Sequence, residues 1–314
     1  MKQACVTQEI NQRMPLASFL DYLRSERNRS EHTVRNYEVA LRSFQSFFLS
    51  LGEGLSWETV DSDVVREWVI HMMDEEDKKA TTVNLSLSAL RSFYHYLQLT
   101  GKVAKSPLSN VTGPKKPKQL PAFVREDDME RLLDECEYAP GFSGVRDHLI
   151  LELLYSTGMR RAEILDLTDS DLRLAEGLVK VTGKRNKQRL IPISPTLSSH
   201  IADYLKAREE NFPDGYVGTR FLIGDHGKDL RPDEIQKIVK ENLSRVTNQE
   251  RRSPHVLRHT FATAMLNNGA DLQSIQRLMG HESLTTTQVY THLSFEELKN
   301  TYKKSHPRSH TPVS

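Results

Sequence analysis

Six side chains in this sequence have the types and spacing to act together on a phosphodiester. His255 and Arg258 stand three apart in SPHVLRHTFATAMLNNG, and on a helix such residues are neighbours on one face. Ser253 as cap and Pro254 at the first helical position predict a helix beginning there, with Gly269 as its left-handed stop after Asn267 or Asn268. The two nitrogen-rich side chains then lie near the positive end of the helix dipole, where an anion is favoured. Asp271 caps a second helix carrying Leu272, Ile275 and Leu278, which Gly280 ends; His281 follows at the turn, and Ser283 caps a third short helix bearing Tyr290. Thr285, Thr286 and Thr287 weaken that last helix, because β-branched residues lose rotamer freedom in it. Taken singly, each His is a surface or satisfied core residue and the Tyr packs; the clustering carries the chemical reading.

Two further cations complete the set. Arg160 follows a helix stop at Gly158, and Lys184 sits in the turn GKRNKQ between the β-rich runs 178–181 and 189–193. Gathered in one place, Arg160, Lys184, His255, Arg258, His281 and Tyr290 present up to five cationic or donor groups to a phosphate and one hydroxyl to attack it. A phosphodiester gains charge on its non-bridging oxygens as it becomes five-coordinate, and forked Arg donors match those oxygens, a role for Arg160 and Arg258. Attack by a Tyr gives a covalent phosphotyrosine that keeps the energy of the broken bond, so religation needs no nucleotide cofactor. A Lys can protonate the departing 5′ oxygen and a His can accept the Tyr proton. No cluster of Asp and Glu with metal-ligand spacing accompanies them, so neither a metal nor another cofactor is expected in the reaction.

The elements that position these groups are mostly helical. The chain has 314 residues, enough for two domains, and 37% hydrophobic residues, as in a globular protein. No apolar run approaches a membrane span and MKQACVTQEINQRM holds no signal-peptide core, which predicts a cytoplasmic protein without a membrane partner. Cys5 and Cys136 have no metal-site spacing and suggest no disulfide framework, in keeping with a reducing compartment. At a net charge of +1, any polyanion must be met by local patches rather than by the whole surface.

The expected fold is mainly α with a small β-sheet, in two domains: an N-terminal four-helix domain over 12–105, a basic Pro-rich linker over 106–121, and a mixed α+β catalytic domain over 122–305. The first domain shows four stripes at helical spacing. They are Leu16, Phe19, Leu20 and Leu23; Val34, Tyr37, Leu41, Phe44, Phe48 and Leu51 after a Ser30 cap; Trp57, Val60, Val64, Trp68 and Met72; and Val83, Leu87, Leu90, Phe93, Tyr94 and Leu97, closed by Gly101. Arg35, Arg42 and Arg91 fall on outward faces, as solvated surface or as phosphate contacts. In the linker, Pro107, Pro114, Pro117 and Pro121 exclude regular helix, and Lys115, Lys116 and Lys118 are candidate DNA contacts. The second domain reads as helices at 125–136, 143–155, from about Arg160, at 195–211 and at 232–246. Its hairpin tip, with Lys184, Arg185, Lys187 and Arg189, is a solvated turn or a basic ribbon able to enter a DNA groove. Beyond Tyr290, Ser294 and Glu297 form a capping box, and Phe295, Leu298 and Tyr302 give a further helix an apolar face.

Several of these residues stand in longer motifs. Thr157, Gly158, Arg160 and Glu163 match TGxR-x-x-E, and Gly183, Lys184, Asn186, Lys187, Arg189 and Pro192 match GKxNKxR-x-x-P. His255, Leu257, Arg258, His259 and residues 260–263 match HxLRHTFAT; Gly280 with His281 and Tyr290 with Thr291 and His292 match LGH and YTH, with Met279 where Leu is commoner. With these motifs the chain resembles the tyrosine site-specific recombinases, and within them the Xer recombinases, over most of its length.

The resemblance implies a C-shaped clamp on a double-stranded DNA recombination site and a homo- or hetero-tetramer, formed with another recombinase, on synapsed DNA. It implies a 3′-phosphotyrosine intermediate, exchange through a Holliday junction, and Xer-type chromosome dimer resolution with a DNA translocase as accessory partner. It assigns Tyr290 as nucleophile, Arg160 and Arg258 to the scissile phosphate, His255 as base, Lys184 as acid and His281 as transition-state donor. Glu163 supports the site and His259 is structural; the apolar C-terminal helix docks on its own domain in a free monomer or, as the resemblance implies, on a neighbouring protomer during synapsis. A mobile-element integrase or DNA invertase shares this chemistry. Readings of another class are a non-catalytic architectural DNA-binding protein, and a metalloprotein using His255, His259 and His281.

Overall fold

The computed structural model describes residues 15–52, 54–115, 122–183, 186–280 and 292–309. The chain divides into two compact units, Met1–Gln119 and Leu120–Ser314.

The first unit is built from helices α1 (15–25), α2 (Glu31–Ser50), α3 (Ser62–Asp74) and α4 (Ala80–Leu99). Ser30 caps α2 through the Thr33 amide, as the sequence suggests. Leu16, Phe19, Leu20 and Leu23 of α1 are buried against Leu41, Phe44 and Phe48 of α2 and the whole expected stripe of α4. The third stripe differs from its expectation. Asp61 accepts from the amides of Asp63 and Val64, so α3 starts at Ser62; Trp57 and Val60 lie ahead of it, yet both are buried. Trp57 plugs the core between Phe48 and Phe93, at centroid distances of 5.1 and 4.7 Å, and its carbonyl accepts from the Tyr94 hydroxyl at 2.9 Å. With the helix starting later, Val65 faces the core and Val64 its edge, while Leu51, past the end of α2, is exposed. Arg42 pairs with Glu38 on the same helix. Arg91 is exposed and donates to the Val111 carbonyl at 2.9 Å.

That last bond belongs to a stretch expected as linker. Leu108 and Val111 are buried in the first core, and Asn84 of α4 donates to the Pro114 carbonyl at 2.9 Å. A Cβ on Gly113 would meet the Asn84 Oδ1 at 2.1 Å, so a side chain there would displace the Asn84 amide that holds the Pro114 carbonyl. Lys115 is exposed; Lys116 and Lys118 lie outside the described residues.

The second unit is organised around α6 (Phe142–Thr157), whose residues from Leu149 to Thr157 are buried on every side. Before it come α5 (Glu126–Glu130) and a π-turn at Arg131–Glu135, together replacing the single helix expected over 125–136. After it come α7 (Arg161–Leu165), the antiparallel sheet β1 (Leu172–Arg173), β2 (Leu178–Thr182) and β3 (Gln188–Pro192) in that order, then α8 (Pro195–Asn211) and α9 (Pro232–Leu243). Two-residue β1 is too short to leave a period in the sequence. The chemical elements follow: α10 (Pro254–Asn267) and α11 (Leu272–Met279).

Helix α12 (His292–Ser305) carries Leu298 and Tyr302 into a cluster with Phe261 and Met265 of α10 and Ile275, Leu278 and Met279 of α11. Beyond it the chain stays buried: His306 approaches the Tyr155 carbonyl at 3.3 Å, and Arg308 bonds both Asp134 oxygens at 2.8 and 2.9 Å and reaches Glu152 at 3.4 Å. In this chain the C-terminal helix therefore docks on its own domain. No described helix is long and apolar enough to cross a membrane.

Candidate active site

The site begins with how α6 ends. Gly158 takes the left-handed conformation at φ 59°, and a Cβ there would stand 2.4 Å from the Phe261 ring, so conformation and space both require glycine. The turn leaves Arg160 extended as the cap residue of α7 and puts Glu163 at the third helical position. The Glu163 side chain is 5% exposed, and its two oxygens serve three groups. Oε1 accepts from the Arg160 guanidinium at 2.8 Å and from Arg189 at 3.0 Å; Oε2 accepts from the Arg160 amide at 2.8 Å and from Arg189 at 2.9 Å. Burial pushes this carboxyl up, but bonds and charge from Arg189, with the bonds from Arg160, outweigh it and hold the pKa at about 2. Glu163 is thus an anion at any physiological pH.

Arg258, one helical turn after His255, is buried and aims its fork at backbone carbonyls, Gly158 at 2.5 Å and Met279 at 2.7 Å. Arg160 reaches Met279 at 3.4 Å and Gly280 at 3.1 Å, with its side chain still 40% exposed. The carbonyls of the turn that ends α11 therefore hold both arginines. That turn is set by Gly280 in the left-handed region at φ 65°, at the far end of the helix that Asp271 caps through Ser274. Burial, then the nearby Arg160 charge, draw the Arg258 pKa down to about 10, which leaves it charged at neutral pH. Carbonyl acceptors orient a guanidinium without neutralising it, so two aligned cations remain for an anion.

Arg189 corrects the reading of the hairpin. Expected among the basic groups at the tip, it is 7% exposed, with its fork on Glu163 and its Nε donating to the Leu278 carbonyl at 2.7 Å. The cause is strand parity. Arg189 pairs across from Val181, and β3 turns Arg189 and Ile191 inward while Gln188 faces out. Arg189 thereby ties the hairpin to both the Arg160 turn and the α11 turn. Sequence reasoning missed this role, although the alternation of β3 was a usable signal.

Lys187 is exposed, and its carbonyl accepts from Gly183 at 2.7 Å to close the hairpin end. His255 is exposed on the first turn of α10 and His259 is half-buried one turn on. Ser253 occupies the cap position without a side-chain cap bond, so Pro254 carries that start. The structure thus brings Arg160 and Arg258 together around Glu163. Lys184, Arg185, His281, Ser283 and Tyr290 lie outside the described residues.

Comparison with known proteins identifies the family. A family model described as "Phage integrase family" matches residues 122–297, more than half of the chain, and one described as "Phage integrase, N-terminal SAM-like domain" matches residues 16–101. The chain belongs to the phage integrase family. It is 35% identical to tyrosine recombinase XerC of Chlorobaculum tepidum, over 94% of each chain, and 36% identical to tyrosine recombinase XerD of Listeria monocytogenes, over 94% of this chain and 99% of that one. The chain is thus an Xer-type tyrosine recombinase, an enzyme that breaks and rejoins DNA in site-specific recombination. Its fold is that of the XerH recombinase in a post-cleavage complex with a palindromic difH substrate, at a TM-score of 0.68 and 23% identity over 92% of this chain and 84% of the other.

Proposed function

We propose that this recombinase cleaves DNA through a 3′-phosphotyrosine, exchanges strands through a Holliday junction and serves in Xer-type chromosome dimer resolution. The pair of guanidiniums held by Gly158, Met279, Gly280 and Glu163 carries the reading, because it offers a charged grip suited to a phosphate whose charge grows in the transition state. In the proposed step the Tyr290 oxygen attacks the scissile phosphorus and gives its proton to His255. The bond to the 5′ oxygen breaks and Lys184 protonates the leaving oxygen, while His281 donates to a non-bridging oxygen. Rejoining is the reverse, with the 5′ hydroxyl of a partner strand as nucleophile. The names XerC and XerD among the relatives favour chromosome resolution over the integration or inversion that share this chemistry.

The acid assignment has its own test. Lys184→Ala slows cleavage, and a substrate with a 5′-sulfur leaving group largely restores the rate, since that group needs no protonation. Cleavage kinetics on the two substrates decide it, and failure of the rescue moves the acid elsewhere.

DNA bound by XerH, and the λ integrase tetramer on a Holliday junction with a TM-score of 0.62, support a duplex site and a tetramer of this chain alone or with a second recombinase. A DNA translocase is proposed as the accessory. DNA affinity should fall steeply with salt through local Lys and Arg. Changing Lys115, Lys116 and Lys118 to Gln lowers the slope of log affinity against log salt by up to about 3 without altering site preference; an unchanged slope makes them ordinary solvated residues.

We also propose that α12 leaves its own domain for the neighbouring protomer during synapsis. A chain stopped after Leu293 should bind a single site but lose controlled recombination between paired sites. Recombination at the normal rate and strand order by the shortened protein would make α12 a local lid. Because Leu298 and Tyr302 fill the cluster around Phe261, thermal unfolding of the shortened chain should also begin earlier.

A further inference from the structure

Away from the arginine cluster, His148 and Glu152 stand one turn apart on α6, and His200 faces them from α8. One ligand atom from each lies within 4.8 Å of the others. We propose that this trio is a three-ligand divalent-metal site, best suited to zinc, that staples α6 to α8. Two imidazoles and a carboxylate form a set zinc accepts, with water in the fourth position, whereas calcium and magnesium favour all-oxygen shells.

The surrounding contacts leave one His148 nitrogen open and pair the other two ligand atoms with each other, so an ion would take the place of the proton between them. The His148 Nε2 lies 2.9 Å from the Leu133 carbonyl, which can only accept, so that nitrogen carries the hydrogen and Nδ1 keeps its lone pair. A second ring nitrogen held by a backbone carbonyl is the usual outer partner of a metal-bound imidazole. The Glu152 Oε1 faces Arg308 at 3.4 Å, and Oε2 points into the trio, where it is hydrogen-bonded to the His200 Nδ1. Arg308 does not cancel the carboxylate, because its guanidinium is also paired with Asp134 at 2.8 Å. Ligands of one zinc at bonds of about 2.0–2.1 Å stand about 3.3 Å apart, so side-chain rotation of about an ångström closes the set. Glu152 is fully buried, but the His200 side chain is 29% exposed and gives an ion its entry. Nine residues, or about 14 Å of helix, separate His148 from Thr157, so the site stands apart from the arginine cluster and its failure would say nothing about recombination. Through Glu152 and Arg308, an ion there would also steady the segment that follows α12.

The test is zinc added to chelator-treated full-length protein. Calorimetry should give one zinc per chain, and the thermal midpoint should rise by about 5 °C or more at a hundredfold excess over the dissociation constant. His148→Gln and His200→Gln should each weaken that binding tenfold or more. Stoichiometric binding that survives both substitutions, or that His255→Ala abolishes instead, overturns the site, as does the absence of stoichiometric binding. Should the variants fold poorly, X-ray absorption of the wild-type zinc complex decides: two imidazoles and oxygen support the trio, and sulfur or a shell without imidazole overturns it.

Discussion

Tyr290→Phe should abolish the covalent protein–DNA adduct while binding to a single site survives. The substitution deletes one oxygen and no cation, so in the proposed mechanism Arg160 and Arg258, still held by Glu163 and the Met279 carbonyl, keep the phosphate while the bond-forming atom is lost. With no substitute nucleophile, the expected loss is at least about four orders of magnitude, or about 5–6 kcal/mol of barrier. A nicked site whose cleaved fragment diffuses away traps the adduct, which denaturing gels resolve. Adduct formed by the Phe variant would assign the attack to another residue; site binding lost along with the adduct would give Tyr290 a structural share. An architectural DNA-binding protein forms no adduct with either residue, so the wild-type lane separates the two classes.

The second large effect is expected at Glu163. Glu163→Ala leaves Arg189 and Arg258 as buried cations without their anion, and breaking a buried pair in this way costs about 3–5 kcal/mol. Glu163→Gln keeps the size and part of the hydrogen bonding, so it should destabilise less but still let Arg160 drift from the Gly280 carbonyl and slow cleavage. The acid limb gives a sharper readout. The folded pKa of about 2 lies below the unfolded value of about 4.3, so Glu163 contributes stability above that range and loses it as pH falls toward 2. The contribution is about 2–3 kcal/mol. Urea unfolding from pH 6 to pH 2.5 should show wild type losing that amount relative to Glu163→Gln; parallel curves would mean that Arg189 and Arg160 do not hold the carboxylate.

The parts of this molecule that sequence made legible are those whose cause is local. Asp271 before α11, Gly158 and Gly280 in left-handed turns, and Ser30 before α2 each act within a few residues, and each stands where the sequence puts it. The core stripes of α1 and α4 were likewise readable from period. Trp57 and Val60 misled because apolar residues at helical spacing can also fold back from a turn, and the Asp61 cap was the signal against a helix through them. Leu108 and Val111 were lost in a composition dominated by Pro and Lys, although two apolar residues in such a stretch have to be covered by something. Arg189 was hidden by a long-range cause: its burial depends on Glu163, 26 residues away, and on a carbonyl 89 residues away. The run from Ser294 announced a helix, which begins two residues earlier at His292 and so holds Ser294 inside it, while the surface that receives Leu298 and Tyr302 is assembled from α10 and α11.

The use of neutral carbonyls around the arginines has a genetic consequence. Three guanidiniums share one carboxylate, so the folded domain carries like charges in close quarters, and burial with the charge of Arg160 already draws Arg258 down. Removing Arg160 relieves part of that repulsion and still leaves Glu163 doubly bonded by Arg189. On the proposed role of Arg160 at the scissile phosphate, stability and activity are opposed at this position. Alleles that lose Arg160 should yield well-folded, long-lived copies, spared by the proteolysis that clears misfolded ones. In a cell carrying both alleles, such copies would persist at their sites and poison mixed assemblies, so their phenotype would be dominant, whereas Glu163→Ala, which costs the domain much of its stability, would be recessive.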